Sequence, residues 1–247
     1  MPLQITALPA FADNYIWAIN DGQEAWVVDP GDAGVVEQWL ETNQLRLRGI
    51  LVTHHHPDHT GGIARLTSLY PVRVLGPRAE QIAGVLEPVQ DGDVVSLDPW
   101  TWNFTVLAVP GHTLGHIAYF AADLDGLGAP VLFCGDTLFA AGCGRLFEGT
   151  PDQMWVSLSK LAALPGLTRV YCTHEYTVSN LKFAHVAEPE NAMISARLLE
   201  CQALRSRGMP TLPSSLAVEL LTNPFVRAGS ASEFARLRRW KDEFRSN

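Results

Sequence analysis

No stretch of the 247-residue chain approaches the ~20 consecutive apolar residues that a membrane-crossing helix needs. The opening residues, MPLQITALPAF, lack a basic start followed by an apolar run, so no secretion signal is expected. Cysteine is scarce. The four, at 134, 143, 172 and 201, form no CxxC pair and no dense framework, which points to reduced thiols and a cytoplasmic location. Positive charge is also short, with 18 Lys and Arg against 26 Asp and Glu and a net charge of -8. That balance argues against a nucleic-acid partner, whose binder needs a basic surface. Charged residues make up only 18% while hydrophobic ones reach 47%, enough for a sizeable core and too apolar for disorder.

The acidity is uneven. From Arg227 onward six basic residues (227, 236, 238, 239, 241, 245) face three acids (233, 242, 243), a local reversal suited to a small anionic ligand. A solvated helix face explains the same charges equally well. No repeat or low-complexity segment is present. Short apolar runs, EAWVVDPG, LRGILVTHHH, NFTVLAVPGH, PVLFCGDT and TRVYCTHE, read as buried strands. Helical patterns lie between some of them, among them DAGVVEQWLETN with Asp32 as its cap and PDQMWVSLSKLAAL with Pro151 near its start. After His174 the strand-like runs stop, and the remainder reads as helical. The expectation is an α/β domain over residues 1–174 followed by a smaller helical domain over 175–247.

Each strand-like run ends in a residue able to hold metal or move protons: Asp29, His54, His112, Asp136 and His174. A core strand has no reason to finish this way, whereas a site built from loops at strand ends does. The stretch THHHPDH places four of the eight histidines within seven residues. Alternate side chains of an extended segment point the same way, so His54 and His56 can share one ion while His55 points elsewhere. Pro57 stiffens the turn, and Asp58 and His59 emerge at another angle, suited to a second ion. His55, His116 and His185 are assigned no ligand role, although His116 could steady His112 four residues earlier. Asp29 is a candidate to orient a ligand, with a simple turn in VDPG as the equal alternative.

THHHPDH resembles the HxHxDH motif of the metallo-β-lactamase superfamily, and PGHTLGH, FCGDTLF and THEYT resemble its later metal motifs in the same order. FADNYIW, GCGRLFEGTPDQM, HEYTVSNLKFA and RRWKDEF resemble the glyoxalase II, or hydroxyacylglutathione hydrolase, family within it. The resemblance covers essentially the whole chain. It implies a metallo-β-lactamase-like αβ/βα four-layer sandwich followed by the helical C-terminal domain. It also implies two divalent metal ions: His54, His56 and His112 on the first, Asp58, His59 and His174 on the second, and Asp136 on both. Zinc is the default, and nitrogen and oxygen ligands also suit iron or manganese.

The activity so implied is hydrolysis of S-D-lactoylglutathione to D-lactate and glutathione, a step of methylglyoxal detoxification, with Asp58 and Asp136 serving a metal-bridging hydroxide. A thioester's leaving thiol has a pKa of about 8.5 and needs no strong general acid. No Ser or Cys nucleophile is therefore sought, and Cys143 reads as a small buried loop residue. The resemblance places Arg145, Phe147, Tyr176, Arg238 and Lys241 on the glutathione moiety, with Asn180 a weaker candidate and Arg239 and Arg245 in solvent. The partner expected is this small thioester, with no nucleic acid, no membrane and a monomeric chain. Competing readings are another enzyme of the superfamily, such as a persulfide dioxygenase or lactonase, and a catalytically dead, metal-stabilised binding protein.

Overall fold

β-Branched and aromatic residues fill the strands of the first half, and in the computed structural model these strands build two sheets. The structure describes residues 3–124 and 127–245. Packing divides the chain into two units, Met1–Ala108 with Gly115–Gly135, and Val109–Leu114 with Asp136–Asn247.

In the first unit the elements are β1 (Gln4–Ala10), β2 (Asn14–Asn20), β3 (Glu24–Val28), α1 (Ala33–Asn43), β4 (Arg46–Leu51), α2 (Pro57–Thr60), α3 (Ile63–Leu69), β5 (Arg73–Pro77), β6 (Glu87–Val89), β7 (Val94–Leu97), β8 (Trp102–Ala108), β9 (Ile117–Ala121) and β10 (Val131–Gly135). The first sheet has the order β1-β2-β3-β4-β5-β6. Its β1–β2–β3 portion is antiparallel, whereas β3 to β6 pair parallel. A parallel pair needs a crossover, and α1 supplies one and α3 the next. The second sheet contributes β7 to β10 as an antiparallel meander.

Strand alternation assigns the two faces of the first sheet. Ile16, Ala18, Ala25, Val27 and Ile50 form one core with Val36 and Leu40 of α1 and Ile63 and Leu66 of α3. Trp26 points to the other face, where its ring covers Gly49; a β-carbon there would lie 2.3 Å from the indole. The indole Nε1 donates to the Asp98 carbonyl just after β7 at 2.8 Å. Tyr119 of β9 donates its hydroxyl to the Val52 carbonyl at 3.0 Å. Both bonds satisfy a polar tip on an otherwise buried ring. They tie the second sheet to the first, the sandwich the sequence leads one to expect. Asp32 caps α1 as its sequence foretells, accepting from the Gly34 amide at 2.8 Å. The stretch DHTGGIARLTSLY, with apolar residues at 63, 66 and 69, does not form one helix: consecutive glycines at 61 and 62 separate α2 from α3.

The second unit holds β11 (Leu138–Phe139), β12 (Gly142–Cys143), α4 (Pro151–Ala162), β13 (Arg169–Cys172), α5 (Thr177–Ala187), α6 (Ala192–Arg205), β14 (Ser214–Ser215), α7 (Leu216–Thr222) and α8 (Ala231–Glu243). Thr150 and Gln153 form a reciprocal capping box at the start of α4, with Pro151 in the first turn. α8 packs on α4 and buries Phe234 and Leu237, while Trp155 of α4 donates to the Ala228 carbonyl at 3.0 Å. The C-terminal region is thus helical as its sequence indicates, apart from the short β14, which pairs antiparallel with β13. Among the described residues no helix is long and apolar enough to cross a membrane.

Candidate metal centre and substrate cleft

The THHHPDH segment follows β4 directly, and Pro57 opens α2. His54 is fully buried, and its Nε2 lies 3.0 Å from Nδ1 of His56. His55 turns elsewhere, as alternation requires, with Nδ1 3.0 Å from Oε2 of Glu80. Beneath the ligands sits Asp29, at the end of β3 with φ 53, a left-handed conformation that Asp tolerates better than most residues. Its Oδ1 accepts from the Thr53 amide and its Oδ2 from the Thr53 hydroxyl, both at 2.7 Å. The same Oδ2 is 3.0 Å from Nδ1 of His59.

This network fixes two tautomers. A carboxylate only accepts, so the Thr53 hydroxyl gives its proton to Asp29 and must accept from Nδ1 of His54, 3.1 Å away. His59 likewise donates Nδ1–H to Asp29. Both histidines then carry an unprotonated Nε2, the form in which imidazole can coordinate a metal ion. Asp29 is therefore an orienting residue rather than a turn former alone. Asp58 has its Oδ2 3.5 Å from Nε2 of His59 and accepts there from Nδ2 of Asn14 at 2.9 Å. His116 stacks on His54, with ring centroids 4.6 Å apart, so the steadying role considered for it falls on His54. Gly135, at φ 47, makes room for that stack: a β-carbon would lie 2.3 Å from the Thr53 hydroxyl and 2.8 Å from Nε2 of His116.

The second unit carries its own cluster. Nε2 of His112 and Nε2 of His174 lie 3.5 and 3.3 Å from one oxygen, Oδ2 of the buried Asp136. Nδ1 of His112 donates to the Arg145 carbonyl at 2.8 Å, which leaves Nε2 unprotonated and able to coordinate. His174 stacks on Tyr176 at 4.7 Å with Phe139 edge-on. Gly144 passes so close that a β-carbon would fall 1.9 Å from the Asp136 carbonyl. The first unit thus gathers His54, His56, Asp58 and His59, and the second His112, Asp136 and His174, donors of the types a metal site requires. The donors are nitrogen and oxygen only, with tautomers set for coordination, and this chemistry fits divalent zinc, iron or manganese.

A cleft of about 420 Å³ opens on this cluster and is lined in part by His112, Asp136, Arg145, Phe147, Tyr176, Arg238, Lys241 and Arg245. All five residues expected to meet the substrate therefore line one cleft. Arg245, expected in solvent, is exposed and borders it too. Phe147 is 63% exposed and stands edge-on to His112 at 5.3 Å. Arg238 is only 7% exposed. It donates from Nη1 to the Cys143 carbonyl at 3.0 Å and from Nη2 to Oδ1 of Asp242 at 2.8 Å. Nε of Arg145 is 3.4 Å from that same carboxylate oxygen. Lys241 donates to the Ser179 carbonyl at 3.2 Å and lies against Phe183 and Phe244. Burial, and then the charge of Arg238, push its pKa down to about 8. Burial raises the Cys143 thiol, which suits a packing residue and not a nucleophile. Asn180 donates to the Ala140 carbonyl at 3.1 Å and so braces the β11–β12 hairpin.

Asn14, Thr53 and Asp242 escaped the sequence reading. The first two stand inside the quoted stretches FADNYIW and THHHPDH, but only the fold carries their side chains to the ligands.

The model for the Metallo-beta-lactamase superfamily matches residues 11–174, and that for Hydroxyacylglutathione hydrolase C-terminus matches residues 175–244. Among solved structures, ETHE1 from Myxococcus xanthus aligns over 97% of this chain and 90% of its own, with TM-score 0.71 and 26% identity. The B3 metallo-beta-lactamase BLEG-1 aligns over 90% of this chain and 99% of its own, with TM-score 0.64 and 22% identity, a likeness of fold alone. Two sheets with strand-end loops that present these imidazole and carboxylate clusters define a metallo-β-lactamase-superfamily protein. Among curated proteins, the hydroxyacylglutathione hydrolase of Cupriavidus taiwanensis is 51% identical, covering 98% of this chain and all of that one. That of Ectopseudomonas mendocina is 52% identical over the same shares. The chain belongs to the hydroxyacylglutathione hydrolase family.

Proposed function

We propose that the chain hydrolyses S-D-lactoylglutathione to D-lactate and glutathione, as a cytoplasmic monomer, with zinc as its metal. The observation that carries this reading is near-full-length identity of about one half to hydroxyacylglutathione hydrolases, joined to a complete set of seven ligands. His54, His56 and His112 hold the first ion, Asp58, His59 and His174 the second, and Asp136 both. Bound there, two divalent ions supply a water acidic enough to ionise near neutral pH and positive charge for the developing oxyanion. Residues 1–174 form the catalytic domain and 175–247 the substrate-binding domain, a division at the point where the two matched family regions meet.

The chain's own residues do the rest. Asp29 and Thr53 keep His54 and His59 in the coordinating tautomer. Arg145, Lys241 and Arg238 supply positive charge for the carboxylates of the tripeptide, and Tyr176 and Phe147 flank its apolar stem. Arg238, nearly buried and already donating to Cys143 and Asp242, acts as the strut that fixes this wall. The thiolate leaves without an acid partner because its own pKa is low. The test is thiol release from S-D-lactoylglutathione by the metal-loaded protein, run beside oxygen uptake with glutathione persulfide. Two bound ions with no thiol release overturn the reading, and oxygen consumption replaces it.

Lys241→Ala is expected to raise KM roughly tenfold or more, on the order of 1.5–3 kcal/mol for a charged hydrogen bond, while kcat changes little. Arg238→Ala moves KM the same way. Lys241 carries its charge below its pKa of about 8 and loses it above. KM of the unaltered protein therefore rises as pH passes through about 8, and Lys241→Ala flattens that rise. Initial rates across pH 6.5–9 check both statements; an unchanged KM in both variants removes these residues from the substrate.

A further inference from the structure

We infer that Asp242 is a specificity-determining residue: its carboxylate receives the ammonium group at the γ-glutamyl end of the thioester, so the cleft selects tripeptides with a free amine. The inference rests on the proposed reading of the substrate. Such a thioester brings two carboxylates and one ammonium to the protein. The cleft wall offers Arg145, Lys241 and Arg245 to the carboxylates. Two acids stand in the same wall, Asp136 and Asp242. Asp136 already faces His112 and His174, at 3.5 and 3.3 Å, within the candidate metal centre. Asp242 is left for the amine.

An ion pair within α8 is the simpler account of Asp242, since Arg238 lies one turn earlier and donates from Nη2 to Oδ1 at 2.8 Å. That account leaves two observations unused. Arg145, from the loop after β12, meets the same Oδ1 through Nε at 3.4 Å, and among the described residues no donor meets Oδ2. The Asp242 side chain is also 39% exposed and lines the cleft. An ammonium that enters a wall this rich in cations is repelled unless a carboxylate meets it. The carbon that bears the ammonium also bears a carboxylate, which the exposed Arg145 beside Asp242 can take. A carboxylate in contact with a guanidinium thus complements two opposite charges on one carbon. Arg238 and Arg145 already hold Asp242 in place, so little rotamer freedom is lost when it accepts.

The test compares KM of the metal-loaded protein for S-D-lactoylglutathione and for its N-acetylated form, in which a neutral amide replaces the ammonium. Acetylation is expected to raise KM about 10–100-fold, the span of a charged hydrogen bond, with kcat little changed. An N-methylated form adds bulk but keeps the charge, and its KM stays near the parent's. Asp242→Asn keeps the shape; it is expected to raise KM for the parent by the same factor and to leave the N-acetylated form where it was. Loss of a purely structural ion pair weakens both substrates alike, and loss of a shield for the cations tightens both; either result overturns the inference. So does an equal KM for parent and N-acetylated substrate in the unaltered protein, a comparison that needs no variant to fold. Calorimetry with S-methylglutathione and its N-acetylated form reads the same discrimination without turnover. A protein that discriminates there yet releases no thiol from the thioester overturns the hydrolase reading and keeps the role of Asp242. A protein that binds neither overturns that role.

Discussion

Removal of the divalent ions by a chelator lowers thiol release from S-D-lactoylglutathione by at least about a thousand-fold, and added zinc restores it. The size follows from what the described side chains cannot supply. Free water has a pKa of about 15.7, against about 7 when held by such an ion, so loss of the ions removes several orders of magnitude of nucleophile at neutral pH. No side chain in the cleft replaces it. The thiol of Cys143 is pushed up by burial, away from the thiolate form. His54 and His59 have their Nδ1 atoms engaged by Thr53 and Asp29 and are set to coordinate. The measurement is the initial rate of thiol release by chelated protein, with circular dichroism to confirm that its secondary structure persists. Undiminished release from such protein removes the metal centre from catalysis and makes Cys143 or an exposed carboxylate the next suspect.

The candidate ligands were legible because coordination chemistry restricts residue type. Only a few side chains bind these ions, and four imidazoles in seven residues leave little other use for them. The strands that carry them were legible for a related reason: an apolar run ended by Pro, Gly or Asp needs only local signals. What stayed hidden depends on contacts between residues distant in sequence. Asn14 reaches Asp58 across 44 positions and Thr53 reaches Asp29 across 24, and no periodicity reports such pairs. Strands β1, β2, β5 and β9 were not among the runs read from the sequence. Arg238 illustrates a subtler gap. The resemblance named it beside Lys241, but nothing in the sequence showed that its guanidinium would be buried against Phe225, 5.2 Å from the ring centroid.

Glu219→Ala is expected to lower the melting temperature by about 6–20 °C. Glu219 of α7 is fully buried. Its Oε1 accepts from Nη2 of Arg197 at 2.7 Å and from the Ser214 hydroxyl. Its Oε2 accepts from the Ala141 amide at 2.7 Å and from Nδ2 of Asn223 at 3.0 Å. Truncation leaves the buried Ala141 amide and the part-buried Arg197 and Ser214 without this acceptor. Breaking a buried ion pair from one side costs about 3–5 kcal/mol. At about 2–4 °C per kcal/mol for a chain of this size, the stated range follows. Glu219→Gln keeps the shape and an acceptor while losing the charge opposite Arg197, so its loss should be smaller. The damage also has a direction. Asn223 donates to the carbonyls of Phe139 and Gly142, at 3.1 and 2.9 Å, and Glu219 holds Ala141 in its left-handed turn at φ 55. These bonds pin the β11–β12 hairpin, which brings Phe139 and Cys143 to the cleft wall. Well below the new melting temperature, a slackened hairpin should raise KM for the glutathione thioester more than it lowers kcat, because it moves the wall that holds substrate while Asp136, His112 and His174 keep their own contacts. Calorimetry and steady-state kinetics on the two variants decide the point: a shift under about 2 °C means the network adds little beyond packing, and a collapse of kcat at unchanged KM means the hairpin supports the ligands instead of the wall.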